Sequence, residues 1–235
     1  MLTSSNDPQT SLPFNGDLQD RPGRKKSFND LVYRLLAVLI RSVFRINGGL
    51  EVKGIENIPP TGGVIIASNH TSYLDPPLIG AVIPRRATFM ARKGLFTIPL
   101  LGWFIKHFAV PIDREKTRTS TIKSAVRRLN NGELLIIFPE GRRSETGELQ
   151  KGKRGVGMIA GLSKAIVVPA LISGSDRALP VGARWLRRAR ISIVFDNPLS
   201  PSTLYVDKNS SNEEITRKIM RSIGKIKNRH ADNCS

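Results

Sequence analysis

The chain has 235 residues, 40% of them hydrophobic, and carries 37 Lys plus Arg against 19 Asp plus Glu, a formal charge of +18. That length fills one core and is long for two, and the basic excess calls for an anionic partner: nucleic acid, a phospholipid surface, or an acidic substrate or carrier. The single cysteine, Cys234, excludes a disulfide framework and a thiolate metal site, and fits a reducing intracellular compartment.

Residues 1–27 lack an apolar h-region, so they do not read as a secretory signal; they read as a disordered polar leader. Residues 28–48 follow with the run FNDLVYRLLAVLIRSVFRI. A membrane-spanning helix needs about 20 mostly apolar residues. Here Arg34, Arg41 and Arg45 interrupt, and their spacing puts them with Asp30 on one helical stripe. The rest of the surface is greasy, which predicts an amphipathic helix lying in a membrane interface rather than crossing it. An ordinary core helix is the alternative.

From residue 49 to 230 the pattern alternates, and this segment reads as one domain, with 231–235 a flexible tail. Short β-type runs stand at 50–54, 63–68, 87–91, 109–112, 133–138, 165–171 and 190–195. Helical patterns separate several of them. Ile122, Ala125, Val126 and Leu129 recur at helical spacing before Asn131-Gly132 stops the run. A last helix is predicted from Ser211, with Glu214 completing a capping box and Ile215, Ile219, Ile223 and Ile226 forming its apolar line. The fold class is therefore α/β: a single mixed, largely parallel sheet of about seven strands flanked by helices.

Two strand ends carry charged chemistry. The first is IIASNHTSYLDPP, residues 65–77. His70 follows a buried strand, and Asp75 precedes Pro76-Pro77, where an N-cap aspartate suits a helix start. Ligands gather outside such strand ends in open α/β sheets. A loop folding back lets Asp75 accept a hydrogen bond from the imidazole, orienting it as a general base. No GxSxG elbow supplies a protein nucleophile, so the base would act on a substrate hydroxyl. The second is LLIIFPEGRRS, where Glu140, Gly141, Arg142 and Arg143 follow an apolar run directly. Gly141 permits positive φ or close approach, and the two arginines offer forked donors that match phosphate oxygens.

NHTSYLDP and FPEGRRS, with MARKGLFTIPLLGWFIKHFAVPIDRE between them and AIVVPALISGS after, resemble in order the four blocks of the glycerolipid acyltransferases, over residues 63–175. The closest branch is the bacterial 1-acyl-sn-glycerol-3-phosphate acyltransferases. The resemblance implies His70 as catalytic base and Asp75 as its partner. It implies Lys93 and Arg114 as phosphate contacts, and Glu140, Gly141 and Arg143 as acceptor-binding residues. Arg142 stands where threonine is usual. The implied reaction moves a fatty acyl group from acyl-CoA or acyl-ACP, as co-substrate and with no further cofactor or metal, to the sn-2 hydroxyl of lysophosphatidic acid, giving phosphatidic acid. The implied partners are an anionic phospholipid membrane, lysophosphatidic acid and the acyl donor, with the protein peripheral or monotopic on the cytoplasmic face and no specific nucleic acid. Backbone N–H groups near Gly141 or at the helix beginning at Pro76 are the candidate oxyanion donors. The rival readings are glycerol-3-phosphate or another lysophospholipid as acceptor, and a non-catalytic basic protein that binds membranes or nucleic acid.

Overall fold

A computed structural model describes residues 24–92, 109–112, 118–180, 182–183, 185–205 and 211–232. Its elements are α1 (Arg24–Ile46), β1 (Leu50–Lys53), β2 (Val64–Ser68), α2 (Asp75–Val82), β3 (Ala87–Arg92), β4 (Ala109–Ile112), α3 (Arg118–Asn130), β5 (Leu134–Ile137), α4 (Arg154–Ser163), β6 (Ile166–Ser173), α5 (Ser175–Ala178), β7 (Ile191–Phe195), α6 (Pro201–Leu204) and α7 (Asn212–Asp232). All seven β-type runs of the sequence form strands. The boundary of α1 differs: it begins at Arg24, so residues 24–27 belong to the helix and not to the leader, the last helix breakers before it being Pro22-Gly23. Helix α7 likewise runs past residue 230.

The strands form one seven-stranded sheet in the order β1-β7-β6-β2-β5-β3-β4. Every pairing is parallel except β6 with β7. Strand β2 lies between β5 and β6, with Val64 opposite Leu134 on one side and Ile166 on the other. These three parallel strands end at the same edge of the sheet, and their C-terminal loops meet there.

Both faces of the central strands β2, β5 and β6 are buried, as continuous apolar strands require. Val64, Ile66, Leu134 and Ile136 face α2 residues Leu78, Ile79 and Val82, with Tyr33 and Phe44 of α1. Ile65, Ala67 and Leu135 point the other way, toward Ala125 and Leu129 of α3, Val156 and Ile159 of α4, and Ile215, Ile219 and Ile223 of α7. Ile215, Ile219, Ile223 and Ile226 are at most 2% exposed; each such side chain contributes about 1.5–3 kcal/mol of burial. Ser211 caps α7, its Oγ accepting the Glu214 N–H at 3.2 Å.

Helix α1 has three faces. Tyr33, Ala37 and Phe44 are buried, while Leu31, Leu35, Val38, Leu39, Val43 and Ile46 are exposed on the opposite side. The Arg34, Arg41 and Arg45 stripe runs between them. Tyr33 pins the helix: its hydroxyl donates to the Gly80 carbonyl at 2.9 Å and accepts the Ala87 N–H at 3.3 Å. Asp30, on the arginine stripe, pairs with Arg86 at 2.8 Å. Among the described residues no helix is long and apolar enough to cross a membrane.

Candidate active site

The site is built at the common edge of β6, β2 and β5. Asn69, the residue after β2, extends the ladder with its side chain: Nδ2 donates to the Ile172 carbonyl at 2.9 Å and Oδ1 accepts the Ile172 N–H at 2.8 Å. A side-chain amide here mimics a peptide group, so the chain leaves β2 on a fixed course and delivers His70 into the open.

Asp75 turns back to meet it. Its Oδ2 accepts three hydrogen bonds, from His70 Nδ1 at 2.8 Å, the Thr71 N–H at 2.7 Å and the Ser72 N–H at 2.8 Å. Its Oδ1 accepts a fourth from Ser175 Oγ at 2.6 Å. Asp75 is 0% exposed. A buried carboxylate is costly unless its lone pairs are filled, and here they are filled by groups that also shape the loop. Because the ionised carboxylate only accepts, Nδ1 carries the imidazole proton and Nε2 is left with a lone pair. The His70 side chain is 16% exposed, and its ring stacks on Phe138 with centroids 4.1 Å apart. Carboxylate and phenyl together fix the imidazole in position and tilt.

One expectation is corrected. Asp75 is not the N-cap of α2; Leu74 is, in helical conformation with no side-chain cap, and Asp75 is the first helical residue. The reason is that its carboxylate serves the preceding loop instead of the helix's own N–H groups. The helix loses little, since Pro76 and Pro77 have no N–H to satisfy.

The second motif folds over the first. Glu140 is 2% exposed. Its Oε1 accepts the His70 N–H at 3.0 Å and its Oε2 the Gln150 N–H at 3.1 Å. Ser144 N–H donates to the His70 carbonyl at 2.7 Å, so His70 is held by its backbone on both sides from this turn. Burial pushes the Glu140 carboxyl above its ordinary range, against the pull of those two N–H donors. Glu140 thus faces the protein, not the solvent, and its geometry is that of a brace for His70. Gly141 has φ 68°, and a side chain there would run into Lys153, whose Cδ and Nζ would lie 2.9 Å from a Cβ. Arg143 stacks its guanidinium on the exposed Tyr73 ring at 3.5 Å. Arg142 Nε donates to Gln150 Oε1 at 2.7 Å on the surface.

His70, Asp75, Glu140, Gly141 and Arg143 therefore meet at one place. Lys93 and Arg114 lie outside the described residues. Of the N–H groups at the proposed oxyanion positions, three are engaged. The Gly141 N–H is spent on the Phe138 carbonyl, the Asp75 N–H on Ser72 and the Leu78 N–H on Leu74. Sequence reasoning missed Asn69, Ser175 and the stacking role of Phe138. The order of the strands, which puts Ser173-Gly174-Ser175 beside His70, was the signal that periodicity alone does not carry.

The hydroxyls nearest the imidazole are engaged elsewhere. Thr71 Oγ1 is buried against Ser175 Oγ at 3.1 Å, and Ser72 Oγ donates to the Leu179 carbonyl at 3.1 Å. A prepared general base, with its neighbouring hydroxyls occupied and a charged turn alongside, is the equipment of an enzyme that activates a substrate hydroxyl. Residues 49–173 match the Acyltransferase family, and the chain belongs to it. It is 32% identical to the 1-acyl-sn-glycerol-3-phosphate acyltransferase of Bacillus subtilis over 72% of this chain and 82% of that protein. It is 28% identical to the chloroplast 1-acyl-sn-glycerol-3-phosphate acyltransferase of Arabidopsis thaliana over 83% of this chain and 54% of that longer protein. The crystal structure of the 1-acyl-sn-glycerophosphate (LPA) acyltransferase of Thermotoga maritima superposes with a TM-score of 0.71 at 26% identity, covering 86% of this chain and 81% of that one.

Proposed function

We propose that the protein transfers a fatty acyl group from a thioester, acyl-CoA or acyl-ACP, to the sn-2 hydroxyl of 1-acyl-sn-glycerol-3-phosphate, giving phosphatidic acid. The observation that carries this reading is the His70–Asp75 pair. The carboxylate is buried and four-fold bonded, and the ring is held with its far nitrogen free to accept a proton. His70 Nε2 takes the hydroxyl proton as the oxygen attacks the thioester carbonyl. The C–S bond then breaks, and the imidazolium returns the proton to the departing thiolate. Asp75 stabilises the imidazolium in between. Such proton transfer contributes about 10²–10⁴-fold.

Arg143, with Lys93 and Arg114, clamps the acceptor phosphate and so fixes the hydroxyl against His70. Gly141, at φ 68°, lets the turn close and leaves the space beside it to the Lys153 side chain, and Glu140 holds the loop in which His70 sits. No protein acyl intermediate is required, because the adjacent Thr71 and Ser72 hydroxyls are occupied. The acceptor belongs to a membrane, and α1 supports attachment there. Its exposed apolar face lies opposite its buried one, with the arginine stripe between them at the level of anionic headgroups. This reading makes the protein peripheral or monotopic, on the cytoplasmic face.

The test is an assay with labelled acyl donor and a panel of acceptors. Label entering phosphatidic acid when the acceptor is the 1-acyl phosphate is the result expected. Preferential acylation of glycerol-3-phosphate, or of a lysophospholipid without a free phosphate monoester, would overturn the acceptor assignment.

A further inference from the structure

The two most exposed large apolar side chains among the described residues are Trp185, at 84%, and Ile46, at 83%. They are far apart in sequence but sit beside one junction. Asn47, next to Ile46 and just past α1, donates from Nδ2 to the Arg187 carbonyl at 2.9 Å. The Asn47 carbonyl accepts the Ala189 N–H at 3.1 Å, and the Arg187 N–H donates to the Ala178 carbonyl at 2.8 Å. Gly48, at φ 137°, packs so close that a Cβ there would lie 2.6 Å from the Ala189 carbonyl oxygen. Segment 185–190 is therefore fastened to the end of α1 and to the end of α5 through its backbone. Its side chains are left outward: Trp185, Leu186, Arg187 and Arg188 are all exposed.

We propose that Trp185 to Arg188 form a second membrane contact, which docks on anionic phospholipid together with the exposed face of α1. This inference rests on the membrane attachment proposed above. An indole open to water gains no burial in the isolated protein, whereas at a bilayer interface its flat apolar body is buried and its N–H stays among the headgroups. Arg187 and Arg188 bring positive charge to the same level, where each cationic side chain strengthens attachment to an anionic surface roughly fivefold. A nucleic acid or an acidic carrier protein would satisfy the arginines, but neither accounts for Leu186 standing exposed next to Trp185 in the chain, or for Ile46 exposed at the α1 end of the same junction. The rigid fastening to α1 fixes the two contacts relative to each other. The bilayer is gripped at two linked points, and the orientation of the body above it is set.

The experiment uses the full chain and vesicles of phosphatidylcholine with or without phosphatidylglycerol. In a Trp103→Phe background Trp185 is the sole indole. The result expected is a blue shift of its emission, and protection from an aqueous quencher, on adding the anionic vesicles. Arg187→Gln with Arg188→Gln should lower vesicle affinity roughly 25-fold while leaving acyl transfer to a detergent-dispersed acceptor unchanged. Hydrogen exchange of the unmodified protein reads the same contact without the Trp103 change: amides of 185–188 slow when vesicles are present. Co-sedimentation with no change at Trp185 or in 185–188 would overturn this inference and leave the α1 attachment standing. Failure to co-sediment at all would overturn both. A Trp185 response to an acidic acyl carrier protein and none to vesicles would reassign the loop to protein docking.

Discussion

Asp75→Asn isolates what the buried charge does. The amide has one acceptor oxygen and one donor nitrogen. Placing the nitrogen at the Oδ2 position would set it against three donors at 2.7 to 2.8 Å, so the oxygen must stay there. The nitrogen then falls at Oδ1, 2.6 Å from Ser175 Oγ, and a hydroxyl rotates to accept. Every hydrogen bond survives, His70 keeps its proton on Nδ1, and only the charge is gone. A hydrogen bond to a charged group is worth about 1.5–3 kcal/mol against about 0.5–1.5 for a neutral one. The imidazolium formed in the transition state therefore loses about 1–1.5 kcal/mol, which is roughly 5- to 12-fold in kcat. The assay is thiol release from acyl-CoA at saturating acceptor, with a thermal melt confirming the fold. Wild-type turnover in a folded Asp75→Asn protein would refute the reasoning and reduce Asp75 to a loop clamp.

Ser175→Ala removes the donor to Asp75 Oδ1 and should cost about 1–3 kcal/mol of stability, with kcat lowered and KM for the acceptor unchanged; melting temperature and steady-state kinetics check both. Glu140→Gln sets an amide N–H₂ against the His70 or the Gln150 N–H, so a melt should show a loss of about 1–3 kcal/mol near neutral pH, offset in part by the buried charge removed. The sign of its pH dependence follows from the raised folded-state value. The wild type's contribution from this group is fully present below its unfolded value near 4.5 and is lost as pH rises through the higher folded value. The difference in stability between wild type and variant should therefore vary with pH across that window, and a pH-independent difference contradicts the assigned environment. Arg143→Ala should raise KM for the acceptor roughly 10- to 150-fold, with a smaller rise for Arg143→Lys, which keeps the charge but loses the fork on Tyr73.

Much of the fold was legible because its strands are buried on both faces. Val64–Ser68 and Leu134–Ile137 are continuous apolar runs that need cover above and below, which only a sheet between helices supplies. The isoleucine line of α7 and its Ser211 cap were legible for the same local reasons. The site was legible in part. His70, Asp75 and the turn at Glu140 stand at strand ends, and sequence marks strand ends well. What sequence could not carry was strand order. Only the placing of β6 beside β2 brings Ser175 to Asp75 and Ile172 to Asn69. The N-cap expectation for Asp75 failed because a local rule was applied to a side chain recruited by the loop behind it. Sequence could not show, for a related reason, that the tight turn after Phe138 uses the Gly141 N–H.

The most direct measurement is the turnover of labelled acyl donor by folded His70→Ala protein, at saturating 1-acyl-sn-glycerol-3-phosphate. If an imidazole oriented by Asp75 removes the hydroxyl proton, kcat falls by about 10²–10⁴-fold while acceptor binding persists. Turnover equal to that of the wild type would place the base elsewhere and contradict the account.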